Sequence, residues 1–260
     1  MAIYTLTPAQ LKGAGIYNSF EIPAGGGSFI NTKSFYNFDG TGSANREATS
    51  NNNSLSYLDN QANITLSCWF KTEDVTRVNN MQFLTMEGNR SIYFQSRVYL
   101  DGENVTFSMT INNTQVLFKT RTIDLTSYTW YNIVMKYDGS AGAIYLDGVE
   151  ESNITVGLSA FTTYANKPRY FGEVRSSTTP YRSTNFALWN RALSTSEVSD
   201  VYNNGCPSDI SSLNPNTWFK MDDATGDFLS TVLPDSGSNN QQAGSTNSFS
   251  VGIVTDSPCP

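Results

Sequence analysis

Strict alternation of side-chain character constrains this chain more than any other feature. Over 63–71, Ile64, Leu66, Cys68 and Phe70 share one face of an extended segment, and Thr65, Ser67, Trp69 and Lys71 take the other. Phe107, Met109 and Ile111 repeat the pattern. Residues 130–137 set Tyr131, Ile133, Met135 and Tyr137 opposite Trp130, Asn132, Val134 and Lys136. Successive side chains of a strand point to opposite faces, so period two predicts half-buried antiparallel strands. Turn chemistry agrees. Asp101-Gly102 lies between 98–100 and 105–111, and Asp147-Gly148 follows Ile144-Tyr145-Leu146. A type I′ turn needs the positive φ that Asp and Gly tolerate, so both pairs predict hairpins. Tyr-Leu-Asp-Gly at 99–102 and again at 145–148 is repeated hairpin grammar rather than duplication.

One helix interrupts the strands. Ser194-Thr195-Ser196-Glu197 is a capping box, Val198, Val201 and Tyr202 fall on one face, and Gly205 can serve as C′. Many short strands with a single late helix imply an all-β, two-sheet antiparallel sandwich.

The two ends differ from this body. Residues 1–33 form an arm: Thr7 as N-cap, Pro8 at N1, Gln10 closing a capping box and Gly13 as stop predict a very short helix. A connector, Ile22-Pro23-Ala24-Gly25-Gly26-Gly27-Ser28, follows it. The arm reads either as a docking segment or as a frayed terminus. The β-rich domain spans 34–205, and 206–260 is an extension rich in Pro, Asn, Ser and Gly that packs on the sandwich. Residues 216–221 can add one edge strand to it, while 236–250 read as irregular.

Composition removes several functions. The chain has no histidine, so Ser-His-Asp and Cys-His catalysis, imidazole-ligated zinc and imidazole pH switching are unavailable to it alone. Sixteen basic against 23 acidic residues give a net charge of −7, which leaves no electrostatic footprint for nucleic acid and disfavours anionic membranes. Only 15% of residues are charged, so Asn, Ser, Thr and Gly must make much of the surface. No segment approaches the roughly 20 apolar residues that cross a bilayer, so no membrane insertion is expected. Met1–Thr7 lacks both a basic and an apolar region, so it is not expected to be a secretory signal, and assembly in a cytosol is expected.

The ordered motifs resemble a known superfamily. Cys68-Trp69-Phe70-Lys71, Trp130-Tyr131-Asn132-Ile133-Val134, Tyr137-Asp138-Gly139, Ile144-Tyr145-Leu146-Asp147-Gly148 and the closing run 187–198 resemble the laminin-G-like, concanavalin A-like jelly roll. The resemblance implies a jelly-roll sandwich and relatives that include lectins, glucanases and structural modules. Cys206-Pro207-Ser208-Asp209, then Trp218-Phe219-Lys220-Met221-Asp222 and Pro234-Asp235-Ser236-Gly237-Ser238, resemble the C-terminal extension of laminin-G-like proteins in tailed-phage genomes. The sequence departs from the glycine-rich form of that extension at Asn239-Asn240-Gln241-Gln242. This second resemblance implies a virion structural or host-adhesion protein.

Fold alone does not assign activity, so each chemistry is weighed on its residues. Glucanases of the superfamily place acids as Glu-x-Asp-x-x-Glu on one strand face. No glutamate here has Asp two positions on, and the adjacent acids Glu73-Asp74 and Glu150-Glu151 would point to opposite faces of a strand, so no catalytic residue is expected. Calcium takes oxygen ligands, and Asp39, Asp59, Asp138 and Asp147 sit near strand ends where such a site can form, although turns explain the Asp-Gly pairs equally well. Sugar binding needs aromatic faces beside hydrogen-bonding groups. Tyr164 and Asn166 in one loop pattern and Tyr181 and Arg182 in another combine these types, against a bland reading as ordinary loop packing. Cys68 alternates with core residues and reads as a buried hydrophobe. Cys206 and Cys259 bracket the extension and can pair. A reducing cytosol opposes that bond, and release of a particle into oxidising surroundings favours it. The expectation is a non-enzymatic phage virion protein, as capsid decoration or as a head or tail fibre component. It would contact other virion proteins through its arm, in many copies or as a homo-oligomer, and display a module for host-surface glycan. The alternatives are a decoration protein without ligand and a polysaccharide-degrading glycoside hydrolase.

Overall fold

The computed structural model describes residues 29, 31–37, 48–50, 55–88, 91–161, 169–174, 179–223, 232–239, 243–244 and 252–259. The first strands among them are β1 (Lys33–Asn37), β2 (Ala48–Ser50), β3 (Asn63–Thr72), β4 (Asn79–Gly88), β5 (Ser91–Leu100) and β6 (Asn104–Ile111). Next come β7 (Thr114–Thr122), β8 (Tyr131–Asp138), β9 (Gly142–Leu146), β10 (Val149–Glu150), β11 (Thr155–Val156), β12 (Arg169–Val174) and β13 (Tyr181–Trp189). The helix α1 (Thr195–Tyr202) precedes β14 (Thr217–Phe219), β15 (Val232–Leu233), β16 (Ala243–Gly244) and β17 (Gly252–Thr255).

They build two antiparallel sheets. One has eight strands in the order β10-β9-β8-β3-β13-β1-β17, with β14 also paired to β13; the other has nine, β11-β7-β6-β5-β4-β12-β2-β16-β15. The alternation read from sequence sets the inner faces. Leu66 opposes Met135 and Cys68 opposes Ile133 across β3 and β8, while Val98 opposes Phe107 across β5 and β6. These side chains, with Phe70, Phe83, Phe94 and Leu188, form the core between the sheets. Each fully buried large apolar side chain there contributes about 1.5–3 kcal/mol.

The eight-stranded sheet is buried on both faces. β3 is buried at nine consecutive positions, so its outward residues are covered too. A second core lies on that far side, where Val134, Tyr145 and Trp189 of the sheet meet Val198 and Val201 of α1 together with Ile210 and Trp218. The Trp189 indole N–H donates to the Leu213 carbonyl at 3.0 Å, and the Trp69 ring stacks 5.9 Å from that of Tyr202. The capping box forms as the sequence predicts: Ser194 Oγ accepts from the Glu197 N–H at 3.3 Å, and Glu197 Oε2 accepts from the Ser194 N–H at 2.7 Å. The stop differs. Asn203 and Asn204, at φ 44° and 54°, turn the chain left-handed before Gly205 is reached, because asparagine tolerates that region.

The two Asp-Gly turns also differ from each other. Asp147 and Gly148 have φ of 50° and 74°, and Leu146 pairs with Val149, which gives the expected two-residue hairpin. A Cβ on Gly148 would lie 2.7 Å from Tyr202 Cδ1, so this turn packs directly on α1. At Asp101-Gly102 only the glycine has positive φ. Asp101 Oδ1 accepts from the Glu103 and Asn104 amides at 2.9 and 2.6 Å, closing a longer loop.

The extension is woven into the sandwich and holds more strand than its composition suggests. β14 and β17 join the eight-stranded sheet, and β15 and β16 join the nine-stranded one. Cys206 and Cys259 are disulfide-bonded, which ties its two ends together. The predicted arm helix and glycine connector lie outside the described residues. No described helix is long and apolar enough to cross a membrane.

Candidate functional site

Of the residues singled out from sequence for sugar binding, the described ones are Tyr181 and Arg182. Tyr164 and Asn166 lie outside the described residues, as does Asp39. Tyr181 corrects the expectation: it opens β13, its side chain is 0% exposed in the core between the sheets, and its hydroxyl donates to the Gln82 carbonyl at 3.3 Å. A strand start, not a loop, occupies that position, so neither ring face is available to a sugar.

Arg182 points the other way and is already occupied. Its Nη1 lies 2.9 Å from Glu73 Oε1, its Nε 3.0 Å from Asp256 Oδ2, and its guanidinium 4.7 Å from the Tyr36 ring centroid. Lys71 Nζ sits 2.6 Å from the same Asp256 Oδ2 and 5.0 Å over the Trp130 ring, whose N–H donates to Asp256 Oδ1 at 3.4 Å. Two cations and two carboxylates neutralise one another here. The cluster clasps the residue after β17 to β3 and β13, which is a structural role.

Two of the aspartates proposed for calcium, Asp138 and Asp147, are engaged by backbone amides. Asp138 Oδ1 accepts from the Ser140 and Ala141 amides at 2.9 and 2.6 Å, and these amides hold its carboxyl below its ordinary value. Asp147 Oδ1 accepts from the Asn132 N–H at 2.7 Å, while burial pushes its carboxyl upward. Asp59 lies just past a short 3-10 turn. Among the described residues no three acids, cysteines or histidines gather where they could hold a metal ion. The acid pairs are likewise engaged. Glu73 is paired with Arg182, Glu150 accepts from the Tyr145 hydroxyl at 2.8 Å, and Glu151 lies 3.1 Å from Arg121.

The outer face of the nine-stranded sheet is a different surface, and it escaped the sequence reading. In β5, Phe94, Val98 and Leu100 enter the core, so Gln95, Arg97 and Tyr99 face away from it; in β6 the same alternation puts Thr106, Ser108 and Thr110 outward. Register aligns them in rows: Gln82, Arg97 and Ser108; Asn80, Tyr99, Thr106 and Thr120; Gln95 with Thr110. Side-chain hydrogen bonds brace the rows. Gln95 Nε2 donates to Gln82 Oε1 at 3.0 Å, Arg97 Nε donates to Ser108 Oγ at 3.1 Å, and the Thr106 and Thr120 hydroxyls lie 2.7 Å apart. The Arg97 guanidinium is 5.9 Å from the Tyr99 ring centroid, and burial lowers its proton affinity. None of the outward side chains described on β4 to β7 is acidic. Gln82, Gln95, Ser108 and Thr110 are themselves buried, so the groups this face presents are the half-buried Arg97, Tyr99 and Thr106 and the exposed Thr120, with no carboxylate pair among the described side chains. The sequence signal for this face lies in the polar halves of the alternating strands, at 95–99 and 106–110.

Comparison with known proteins bears on the fold. A laminin G family model of the concanavalin A-like lectin/glucanase superfamily matches residues 39–199. No curated protein sequence matches the chain. Among solved structures, the heptameric SAP-like pentraxin from Limulus polyphemus superposes with TM-score 0.50 at 13% identity, over 67% of this chain and 84% of that one. The botulinum neurotoxin DC binding domain in complex with rat synaptotagmin II gives TM-score 0.47 at 9% identity, over 80% of this chain and 57% of that one. Trypanosoma rangeli sialidase gives 0.38 at 17% identity, over 54% of this chain and 22% of that one. With the family model covering more than half of its length and both sheets in place, the chain belongs to the laminin-G-like family of the concanavalin A-like lectin/glucanase superfamily.

Proposed function

We propose that this chain is a non-catalytic, lectin-like module displayed in many copies on a tailed-phage particle, where it holds host-surface glycan. The observation that carries the binding reading is the outer face of β4 to β7, where the Arg97 guanidinium, anchored on Ser108, lies beside the Tyr99 ring and near the paired Thr106 and Thr120 hydroxyls. Sugars present hydroxyls and C–H faces together, and such a surface meets both. The particle reading rests on the resemblance of the extension, from Cys206-Pro207 through Pro234-Asp235-Ser236-Gly237, to laminin-G-like proteins of phage genomes. In it, residues 1–33 contact other virion proteins, assembly takes place in the host cytoplasm, and copy number supplies avidity to a weak single site.

A glycan array probed with the protein clustered on beads tests the binding. The reading expects retention of particular glycans and loss of that retention in Tyr99→Ala. Silence across all glycans at high density favours a decoration protein without ligand, and release of reducing ends from a bound polysaccharide favours a hydrolase. Mass spectrometry of purified particles tests the location, and absence of the chain from them overturns it. Deleting residues 1–33 tests the arm: incorporation at normal copy number without it refutes docking through that segment.

A further inference from the structure

Among the arginines whose side chains are described, all but one are paired with acids. Arg77 lies 3.1 Å from Asp74, Arg121 binds Asp124 and Glu151, Arg182 binds Glu73 and Asp256, and Arg191 lies 2.8 Å from Glu197. Among the arginines whose side chains are described, Arg97 alone has no carboxylate. Its single hydrogen bond runs from Nε to Ser108, which leaves both Nη groups without a protein acceptor. The side chain is half-buried in the middle of the sheet, on β5 between β4 and β6. A guanidinium withdrawn from water without a counter-charge is unfavourable, and the chain bears a net charge of −7, so partners of the right sign abound elsewhere. A second group beside it lacks a partner. Asn80 Oδ1 is buried with no donor, and Asn80 is the register partner of Tyr99, diagonal to Arg97 across β4 and β5. Unused donors of positive charge, an unused acceptor and an aromatic ring thus lie together on one patch.

We propose that this patch recognises a carboxylate-bearing sugar. The proposal rests on the reading that the outer face of β4 to β7 binds glycan, and it names the class. The planar guanidinium accepts a carboxylate in a two-pronged pair through its free Nη groups. Tyr99 supports the C–H face of the ring. Asn80 Oδ1 accepts from a hydroxyl of the same sugar, and the Thr106 and Thr120 hydroxyls meet others. A neutral sugar satisfies the acceptor and the ring but leaves the buried charge unpaired, which is the basis of discrimination.

The test compares a polyuronate, its carboxyl-reduced neutral form and a sulfated polysaccharide of similar charge density, using full-length disulfide-intact protein. Wild type is expected to bind the polyuronate at least about tenfold more tightly than the reduced polymer, and Arg97→Gln to remove that difference, as befits hydrogen bonds to a charged group. Arg97→Gln is expected to melt with the wild type, which separates lost recognition from lost fold; Arg97→Lys, charged but unable to fork, is expected to recover only part. Equal binding of the carboxylated and reduced polymers overturns the acidic-sugar assignment while the glycan reading stands. Equal binding of the sulfated polymer overturns the carboxylate as the recognised group. Binding to none of the three and to nothing on the array overturns the glycan reading itself.

Discussion

Removing the Cys206–Cys259 bond by the double substitution Cys206→Ser/Cys259→Ser tests how the extension is held. The bonded residues are 53 apart in sequence, and the loop they close contains β14 to β17. In the chain-entropy model, opening a loop of that length releases about 14 cal/mol/K in the unfolded chain, or about 4 kcal/mol at 25 °C. With an m-value of ~3 kcal/mol/M in urea, the unfolding midpoint falls by ~1.4 M. Tryptophan fluorescence follows the transition, because Trp189 and Trp218 lie in the core that the extension completes. The remaining thiol does not interfere: Cys68 is buried, and that burial pushes its thiol well above the ordinary range, so exchange with it is slow in the folded chain. Wild type unfolded with reductant should reproduce the variant. A midpoint shift below ~0.3 M would refute the reasoning, since it would mean that the unfolded chain gains little freedom when the clasp is cut. If the protein is assembled in a cytosol, as proposed, this increment is acquired only after release.

Other perturbations read individual contacts. Glu197 is held down to about 2 from its ordinary 4.5 by Arg191 and the Ser194 amide, so its contribution is fully present above pH ~4.5 and lost as pH falls toward 2. Glu197→Gln should therefore cost about 1 kcal/mol at pH 7 and almost nothing at pH 2, measured as the gap in thermal melting between variant and wild type. Tyr137 donates to the carbonyls of Gly139 and Gly157 and accepts from the Ser159 N–H at 3.0 Å, so Tyr137→Phe should destabilise by about 1–3 kcal/mol in urea unfolding. Gly148→Ala meets both positive φ and the Tyr202 ring, and should lower stability by about 1–2 kcal/mol; an unchanged melt would mean the turn does not press on α1. Asp256→Asn leaves Lys71 and Arg182 facing each other with one acid, and should accelerate amide exchange over Gly252–Thr255 while costing about 2 kcal/mol, less than for a fully buried pair.

Alternation made the inter-sheet core readable from residues alone: Ile64, Leu66, Cys68 and Phe70 are where period two puts them. It misled where a strand is covered on both faces. Trp69 and Lys71 occupy outward positions of β3 yet are buried, because α1 and the extension lie over that side. Their burial depends on segments more than a hundred residues away, which no local pattern encodes. Arg182 shows the same limit. Its pattern suits a sugar loop, but its partners Glu73 and Asp256 are distant in sequence and converge only through sheet order. The extension was undervalued because β15 and β16 are two residues each, too short for any periodicity, and pair only because β2 stands beside them. The patch around Arg97 needs register across three strands, and register is a property of the folded sheet.

The outermost strands have a consequence for crowding. β10, β11 and β15, which end the sheets, are two residues long, and β17, at the remaining end, is four. Terminal strands this short offer another molecule few backbone groups of their own to zip onto. If the chain is displayed in many copies, as proposed, such short edges oppose the fusion of neighbours into a continuous ribbon.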